Sequence, residues 1–167
     1  MSFTSEVKQE IAMNELHPCC VKAELSALVQ MLCSINFSIS GMDLRIKCEH
    51  RPTANRIFNM IKERYQAKMQ FSVMKKMNLK KNNVYVLRVS SHASEILEDL
   101  EILTDAGLQA HISKESLASE CCVRAYLAGA FLAGAFSAGS SALGASALGA
   151  SARALSSSIS KSLSTFI

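Results

Sequence analysis

The stretch Cys19-Cys20-Val21-Lys22-Ala23-Glu24-Leu25 returns almost unchanged as Cys121-Cys122-Val123-Arg124-Ala125-Tyr126-Leu127. Five of the seven positions are identical and a sixth exchanges Lys for Arg, at a separation of 102 residues. A repeat of this length is too long for a solenoid and suits a duplicated subdomain joined by a linker. We therefore expect two equivalent helices paired across a pseudo-twofold axis. Small residues such as Ala27 and Gly129 would let the two backbones approach closely.

The sequence between the two copies alternates between helical and strand periodicity. A short amphipathic helix over 5–13 precedes the first copy, and Ser40-Gly41 and a basic polar stretch over 75–83 mark two hairpin turns. From Cys19 the predicted order is α-ββ-α-ββ-α, which indicates an α+β fold with an antiparallel sheet. The predicted elements are a helix from Cys19 to about Leu32, strands at 35–39 and 44–48, a helix at 54–65, strands at 69–73 and 84–89, and a helix at about 93–103.

The domain organisation follows from the position of the second copy. Residues 1–118 are predicted to form the first repeat, and 119–136 the first helix of a second, incomplete repeat. Residues 137–167 form a low-complexity Ala/Gly/Ser tail with its own five-residue period. The 28 residues from Ala125 to Ala152 carry no charge and are long enough for a membrane span, but small residues dominate after Phe136. We expect a disordered or weakly helical tail without an evolved function, as a frameshift, a truncated gene or an artificial extension would produce.

Charge is distributed unevenly along the chain. Residues 34–90 hold twelve Lys or Arg against three acids, whereas residues 91–120 hold seven acids and one Lys. A basic block of this size is typical of a polyanion partner, most often nucleic acid, although a solvated face is equally compatible with charge alone. The net charge of +4 hides this contrast.

The six cysteines are expected to be free thiols in a reducing compartment, because the chain begins without an apolar leader. Four of them form two vicinal pairs, and neighbouring cysteines rarely bridge each other because the small ring is strained. A zinc site would normally show C-x-x-C spacing with further Cys or His ligands, which this sequence does not. We therefore interpret these thiols as structural and predict neither a metal site nor a cofactor.

The run Tyr126-Leu127-Ala128-Gly129-Ala130-Phe131-Leu132-Ala133-Gly134 resembles the helix of LAGLIDADG homing endonucleases, whose repeat has the same element order. A closer resemblance, over about residues 1–135, is to the WhiA family of sporulation and cell-division regulators of Gram-positive bacteria. That resemblance implies a DNA-binding transcription factor with a degenerate LAGLIDADG domain and a C-terminal helix-turn-helix. No helix-turn-helix is visible after about Ala135. The resemblance rests on Ser2-Phe3-Thr4-Ser5-Glu6-Val7-Lys8, Cys19-Cys20 with Lys22-Ala23-Glu24-Leu25, Lys81-Asn82-Asn83-Val84-Tyr85, and Glu120-Cys121-Cys122 with Arg124-Ala125-Tyr126-Leu127.

Nuclease chemistry is not expected. A LAGLIDADG nuclease needs a carboxylate near the C-terminal end of each paired helix to coordinate divalent metals. The corresponding positions in this sequence fall on Leu32 and Gly134, neither of which can bind a metal through its side chain. The nearest acids, Glu24 and Asp43, have no counterpart placed to serve both strands of a duplex. We predict that the chain is not an enzyme and has no small-molecule substrate.

The predicted partner is double-stranded DNA, contacted through basic residues of the two hairpins. Such residues would neutralise phosphates without reading bases. The alternative is a protein-interaction module that does not bind DNA, which the acidic side of the helix at about 93–103 would suit. A homodimer through the Cys19 helix is a further option, and the expected location is the cytoplasm, associated with the nucleoid. The predicted DNA-binding residues are Arg45, Lys47, Lys75, Lys76, Lys80, Lys81 and Arg88.

Overall fold

The computed structural model describes residues 3–39, 41–75, 83–109 and 112–134. The predicted tail at 137–167 lies outside these residues. The order of elements from α2 to α4 confirms the predicted α-ββ-α-ββ-α arrangement. The elements are α1 Phe3–Met13, α2 Pro18–Leu32, β1 Cys33–Ser38, β2 Gly41–Cys48, α3 Arg51–Tyr65, β3 Met69–Lys75, β4 Asn83–Val89, α4 Ala93–Asp99, β5 Leu103–Thr104, β6 Gly107–Leu108, a short 3-10 helix Glu115–Leu117, and α5 Glu120–Gly134.

The first four strands form one antiparallel sheet in the order β1-β2-β4-β3. The two hairpins therefore lie side by side and meet along β2 and β4, where Leu44 pairs with Val89 and Ile46 with Leu87. Gly41 follows the β1–β2 turn with a φ of 125°, a backbone conformation that residues with a side chain rarely adopt. The fold class is thus the predicted α+β, with the helices packed on one side of the sheet.

The hydrophobic core lies between that side of the sheet and the helices. Leu44, Ile46 and Leu87 of the central strands are fully buried, as are Leu28 of α2 and Ile57 of α3. Alternate positions along a strand point to opposite faces, so the period of two read from the sequence sends one set of side chains into this core. The other set points to the opposite face of the sheet.

Helices α2 and α5, which carry the repeated sequence, pack directly against each other. A Cβ added to Gly129 of α5 would lie 2.6 Å from the backbone oxygen of Glu24 and 3.0 Å from Cβ of Ala27. Ala27 and Gly129 are separated by the same 102 residues as the two Cys-Cys pairs, so equivalent positions meet, as the repeat predicted. The homodimer predicted through the Cys19 helix remains a prediction, and it would compete with α5 for this face of α2.

A buried ion pair joins the helices beneath this contact. Glu24 is completely buried, and both its carboxylate oxygens accept hydrogen bonds from the guanidinium of Arg56, with Nη2 at 3.0 Å. Arg56 also donates to the backbone oxygens of Ala12 at 3.0 Å and Asn14 at 2.7 Å. One side chain of α3 therefore holds the end of α1 and the middle of α2.

The helix predicted at about 93–103 ends earlier than expected. Helix α4 stops at Asp99, and Glu101 has a φ of 59°, which a helix cannot accommodate. The chain then forms the small hairpin of β5 and β6, which the sequence reading missed. The apolar positions Leu100 and Leu103 keep helical spacing, so the pattern alone extended the helix too far.

In the part of the chain that the structure describes, no helix is both long and apolar enough to cross a lipid bilayer.

Candidate nucleic-acid interface and the ends of the paired helices

The face of the sheet away from the helices carries a polar row across all four strands. The pairing of the strands places Ser34 opposite Arg45, Arg45 opposite Arg88, and Arg88 opposite Gln70. All four residues are exposed. Hydrogen bonding between strands thus brings together residues as far apart as 34 and 88 in the sequence, which is what a binding surface on this face requires.

The cations on this face differ in their surroundings. Arg45 and Lys47 lie on the same strand two residues apart, and both are exposed. Arg88 donates a hydrogen bond of 2.5 Å from Nη2 to the Asp43 carboxylate, so part of its charge is balanced within the protein. We therefore regard Arg45 and Lys47 as the centre of the candidate interface, with Arg88 held beside them by Asp43.

The predicted lysines of the second hairpin do not all join this row. Lys75 lies on the same side of β3 as Phe71 and Val73, and the Phe71 ring centroid lies 6.1 Å from that of Phe58 on α3. By strand alternation Lys75 therefore belongs to the side of the sheet that faces the helices, although it is exposed at the strand end. Lys76, Lys80 and Lys81 lie outside the described residues.

A LAGLIDADG nuclease would carry its acids at the C-terminal ends of the paired helices. Leu32 is the last residue of α2 and Gly134 the last residue of α5, so the two predicted positions occupy equivalent ends. The one acid inside α2, Glu24, is occupied by Arg56. Asp43 on β2 is likewise engaged, by Arg88.

The acidic surface predicted beside α4 is partly neutralised. Asp99 accepts hydrogen bonds from the Tyr65 hydroxyl at 2.6 Å and from Arg64 at 3.0 Å. Burial opposes the charged form, but these donors hold the pKa of Asp99 below its usual range. Glu101 forms an ion pair with Lys22 at 3.0 Å. Asp99 and Glu101, both on the acidic side of the predicted helix, thus form contacts within the fold, while Glu95 and Glu98 are exposed.

The opposite, N-terminal ends of α2 and α5 bring the two Cys-Cys pairs together. Sγ of Cys19 lies 3.7 Å from that of Cys20 and 3.8 Å from that of Cys121, and the four sulfur atoms lie within 4.8 Å of one another. Cys20 and Cys122 are buried, whereas Cys19 and Cys121 are exposed. The sequence reading treated each pair alone and missed this thiol cluster, although the 102-residue repeat was the signal that could have found it.

The thiols of the cluster differ in acidity. Burial raises the pKa of Cys20 to about 12. The Ser119 hydroxyl, followed by the thiols of Cys20 and Cys19, stabilises the Cys121 thiolate and lowers its pKa to about 7. Ser119 Oγ lies 3.1 Å from Cys121 Sγ and 3.0 Å from Cys122 Sγ. The cluster therefore combines an exposed, acidic thiol with a buried one that resists ionisation.

A closely packed helix pair built from a repeat, set against a four-stranded antiparallel sheet, defines this chain as a LAGLIDADG-like domain. Solved structures agree. The N-terminal LAGLIDADG domain of DUF199/WhiA is similar with a TM-score of 0.56 and 16% identity, covering 79% of this chain and 58% of that one. The full-length DUF199/WhiA from Thermatoga maritima is similar with a TM-score of 0.54 and 14% identity, covering 80% of this chain and 39% of that one.

The chain belongs to the WhiA family. The family model of the WhiA N-terminal LAGLIDADG-like domain matches residues 18–103. Among curated relatives, the probable cell division protein WhiA of Bacillus velezensis is 46% identical and that of Bacillus subtilis 44% identical, each over 130 residues and 77% of this chain. The chain spans about two fifths of the length of these relatives, since the matches cover 41% of each.

Proposed function

We propose that the chain is a non-catalytic, DNA-binding domain of a transcriptional regulator that acts in cell division and sporulation. The observation that carries the proposal is the polar row on the open face of the sheet, with Arg45 near its centre and Lys47 exposed two residues further along the same strand. Residues two apart on one strand point to the same face about 6.6 Å apart, so both cations can contact the phosphate backbone of one duplex. A location at the nucleoid in the cytoplasm follows from the same proposal.

The biological context of the proposal comes from relatives. The curated relatives named above are described as probable cell division proteins, and the matches with this chain cover about two fifths of their length. The proposal assigns to this part of the protein a phosphate-binding role that strengthens attachment to DNA. Reading of a particular sequence is left to whatever else the complete regulator contains, because backbone contacts carry no sequence information directly.

We propose a non-catalytic role because of the residues at the C-terminal ends of the paired helices. Leu32 and Gly134 offer no side-chain oxygen, and Glu24 already binds Arg56 through both carboxylate oxygens. Metal-assisted cleavage of a phosphodiester needs carboxylates aimed at the metals, so the helix ends lack the ligands for it. Incubation of the purified chain with supercoiled plasmid and Mg²⁺ should leave the plasmid intact, and nicking that requires Mg²⁺ would contradict this part of the proposal.

DNA binding is tested by filter binding of the intact chain to a mixed-sequence duplex over a series of KCl concentrations. We expect binding that weakens steeply with salt, because each phosphate contact releases counterions. We also expect little difference between unrelated duplex sequences. Failure to retain the duplex even at low salt would overturn the proposal and favour the protein-interaction module, in which the exposed acids Glu95 and Glu98 would be part of a docking surface.

A further inference from the structure

The thiol cluster of Cys19, Cys20, Cys121 and Cys122 lies at the opposite end of the paired helices from Leu32 and Gly134, and the proposed function makes no use of it. Each pair opens its helix, so the two-residue motif is placed twice around the pseudo-twofold axis. Because equivalent positions of α2 and α5 meet, the packing that seats Gly129 against Ala27 also brings the two pairs together. The fold brings the four sulfur atoms together from two distant segments. Neither Cys-Cys pair therefore needs to show metal-site spacing by itself.

We propose that these four cysteines form a tetrathiolate site for a soft divalent cation, with Zn²⁺ the expected ion. A tetrahedral zinc site with Zn–S bonds of about 2.3 Å has sulfur-to-sulfur edges of about 3.8 Å. The distances from Cys19 Sγ to Cys20 Sγ and Cys121 Sγ, 3.7 and 3.8 Å, match such edges. All four sulfur atoms lie within 4.8 Å of one another, so small side-chain rotations complete the tetrahedron.

The surroundings of the cluster suit bound thiolates. Nδ1 of His17 lies 3.0 Å from Cys19 Sγ, and Ser119 Oγ contacts the sulfur atoms of Cys121 and Cys122. The Ser119 hydroxyl donates to Cys122 Sγ, as the outer groups around metal ligands commonly do, while His17 Nδ1 accepts from the backbone N–H of Cys19. The N-terminal ends of α2 and α5 add the positive ends of two helix dipoles.

The inner side of the cluster is closed by apolar packing. Ala23, Ala125 and Tyr126 are buried with Cys20 and Cys122, and Leu16, Ile112 and Leu117 pack against them. Structural zinc sites have this form, with four protein ligands and no position left for water. Binding is a simple exchange: each cysteine loses its S–H proton to solvent and forms one S–Zn bond, and no oxidant or reductant takes part.

A disulfide between the exposed Cys19 and Cys121 is the rival use of the same atoms, since their sulfur atoms are 3.8 Å apart. A disulfide would use two of the four thiols and would leave the convergence of the buried Cys20 and Cys122 without a role. It would also need an oxidant. The four-ligand site accounts for all four thiols at once, and we therefore favour it.

The test titrates the intact, fully reduced chain with Co²⁺ and then with Zn²⁺. We expect one Co²⁺ per chain, with the visible bands of tetrahedral Co²⁺ and near-ultraviolet charge transfer from sulfur, and displacement of the Co²⁺ by Zn²⁺. The variant Cys19→Ser/Cys121→Ser changes exposed residues only and should lose the tetrahedral spectrum while its far-ultraviolet circular dichroism is unchanged. The matched control Cys33→Ser should keep the spectrum, because Cys33 lies on β1, outside the cluster.

A second measurement, protection from alkylation, uses the wild-type chain and so does not require that a variant folds. With Zn²⁺ bound, Cys19 and Cys121 of the wild-type chain should be protected from alkylation, as measured by peptide mass spectrometry, and a chelator should remove the protection. The proposal is wrong if the reduced wild-type chain takes up no stoichiometric Co²⁺. It is also wrong if the double variant keeps the full spectrum, or if air oxidation links Cys19 to Cys121 in a chain that binds no metal.

Discussion

The helix pair and the open face of the sheet differ in how closely their residues are packed. Between α2 and α5 the backbones are so close that Gly129 has no room for a side chain, and the buried charge of Glu24 is fully paired. On the open face, Arg45 and Lys47 are exposed, although Val86, the strand neighbour of Lys47, is buried. Substitutions in the helix pair should therefore disturb packing more than substitutions of these two exposed cations.

A LAGLIDADG-like fold separates the residues that pack its two central helices from the residues at the C-terminal ends of those helices. Close helix packing depends on small residues in the middle of α2 and α5, whereas metal-dependent chemistry would depend on residues at their C-terminal ends. Leu32 and Gly134 can occupy those ends without disturbing the crossing point at Ala27 and Gly129. The two properties are separable, and the variants below test that separation from the largest expected effect to the smallest.

The largest expected effect is the loss of the buried ion pair. Arg56→Ala should lower the free energy of unfolding by about 3–5 kcal/mol, because it leaves the carboxylate of the fully buried Glu24 without a partner. The double variant Glu24→Leu/Arg56→Met should recover most of this loss, since no buried charge remains. Urea unfolding followed by circular dichroism measures both. If the double variant were as unstable as Arg56→Ala, unpaired charge would not be the cause.

The close approach of the helices is the next most sensitive feature. Gly129→Ala should destabilise the chain by about 1–3 kcal/mol through overpacking, even though Ala is the better helix former by about 1 kcal/mol. Gly134→Ala is the matched control in the same helix, because a Cβ there meets no atom of the described residues within 4 Å. Thermal unfolding of the two variants gives the comparison. Equal stability of both variants would show that α2 and α5 are farther apart than described.

The open sheet face should be the least sensitive to substitution. Arg45→Ala/Lys47→Ala should change the free energy of unfolding by no more than about 0.5 kcal/mol, as is usual for exposed positions outside special features. Chemical unfolding of this variant beside the wild type measures the change. A loss comparable with that of Gly129→Ala would mean that these cations support the fold, and their place in the proposed interface would then lose its main argument.

The sequence predicted the helix pair and the sheet well because their signals are local or repeated. Strand alternation around Ile46 and Leu87 and the 102-residue repeat each leave a direct trace in the chain. The predicted end of α4 was wrong because the apolar spacing continues past Asp99, whereas the positive φ of Glu101 ends the helical path of the backbone. The partners of these acids, Arg64 and Lys22, lie 35 and 79 residues away, and local patterns do not predict such distant pairs.

The candidate sites likewise divide into residues that a local sequence pattern predicts and residues that only the folded structure brings together. Arg45 and Lys47 were found from the sequence because they alternate with buried residues of one strand. Lys75 was grouped with them by charge, but strand register, which the sequence did not define for that hairpin, assigns it to the other side of the sheet. The thiol cluster was missed because metal-site patterns are read within short segments. Its ligands come from two segments that meet only through the pairing of α2 and α5.

Binding of DNA phosphates by the open sheet face is tested most directly by the salt dependence of DNA binding. The slope of log K against log[KCl] should be shallower by about 1.8 in Arg45→Ala/Lys47→Ala than in the wild type, at about 0.9 for each lost phosphate contact. Arg51→Ala/Lys114→Ala removes the same charge from exposed positions outside the sheet and should keep the wild-type slope. If both variants shift the slope equally, or neither does, the open face is not the DNA-binding surface.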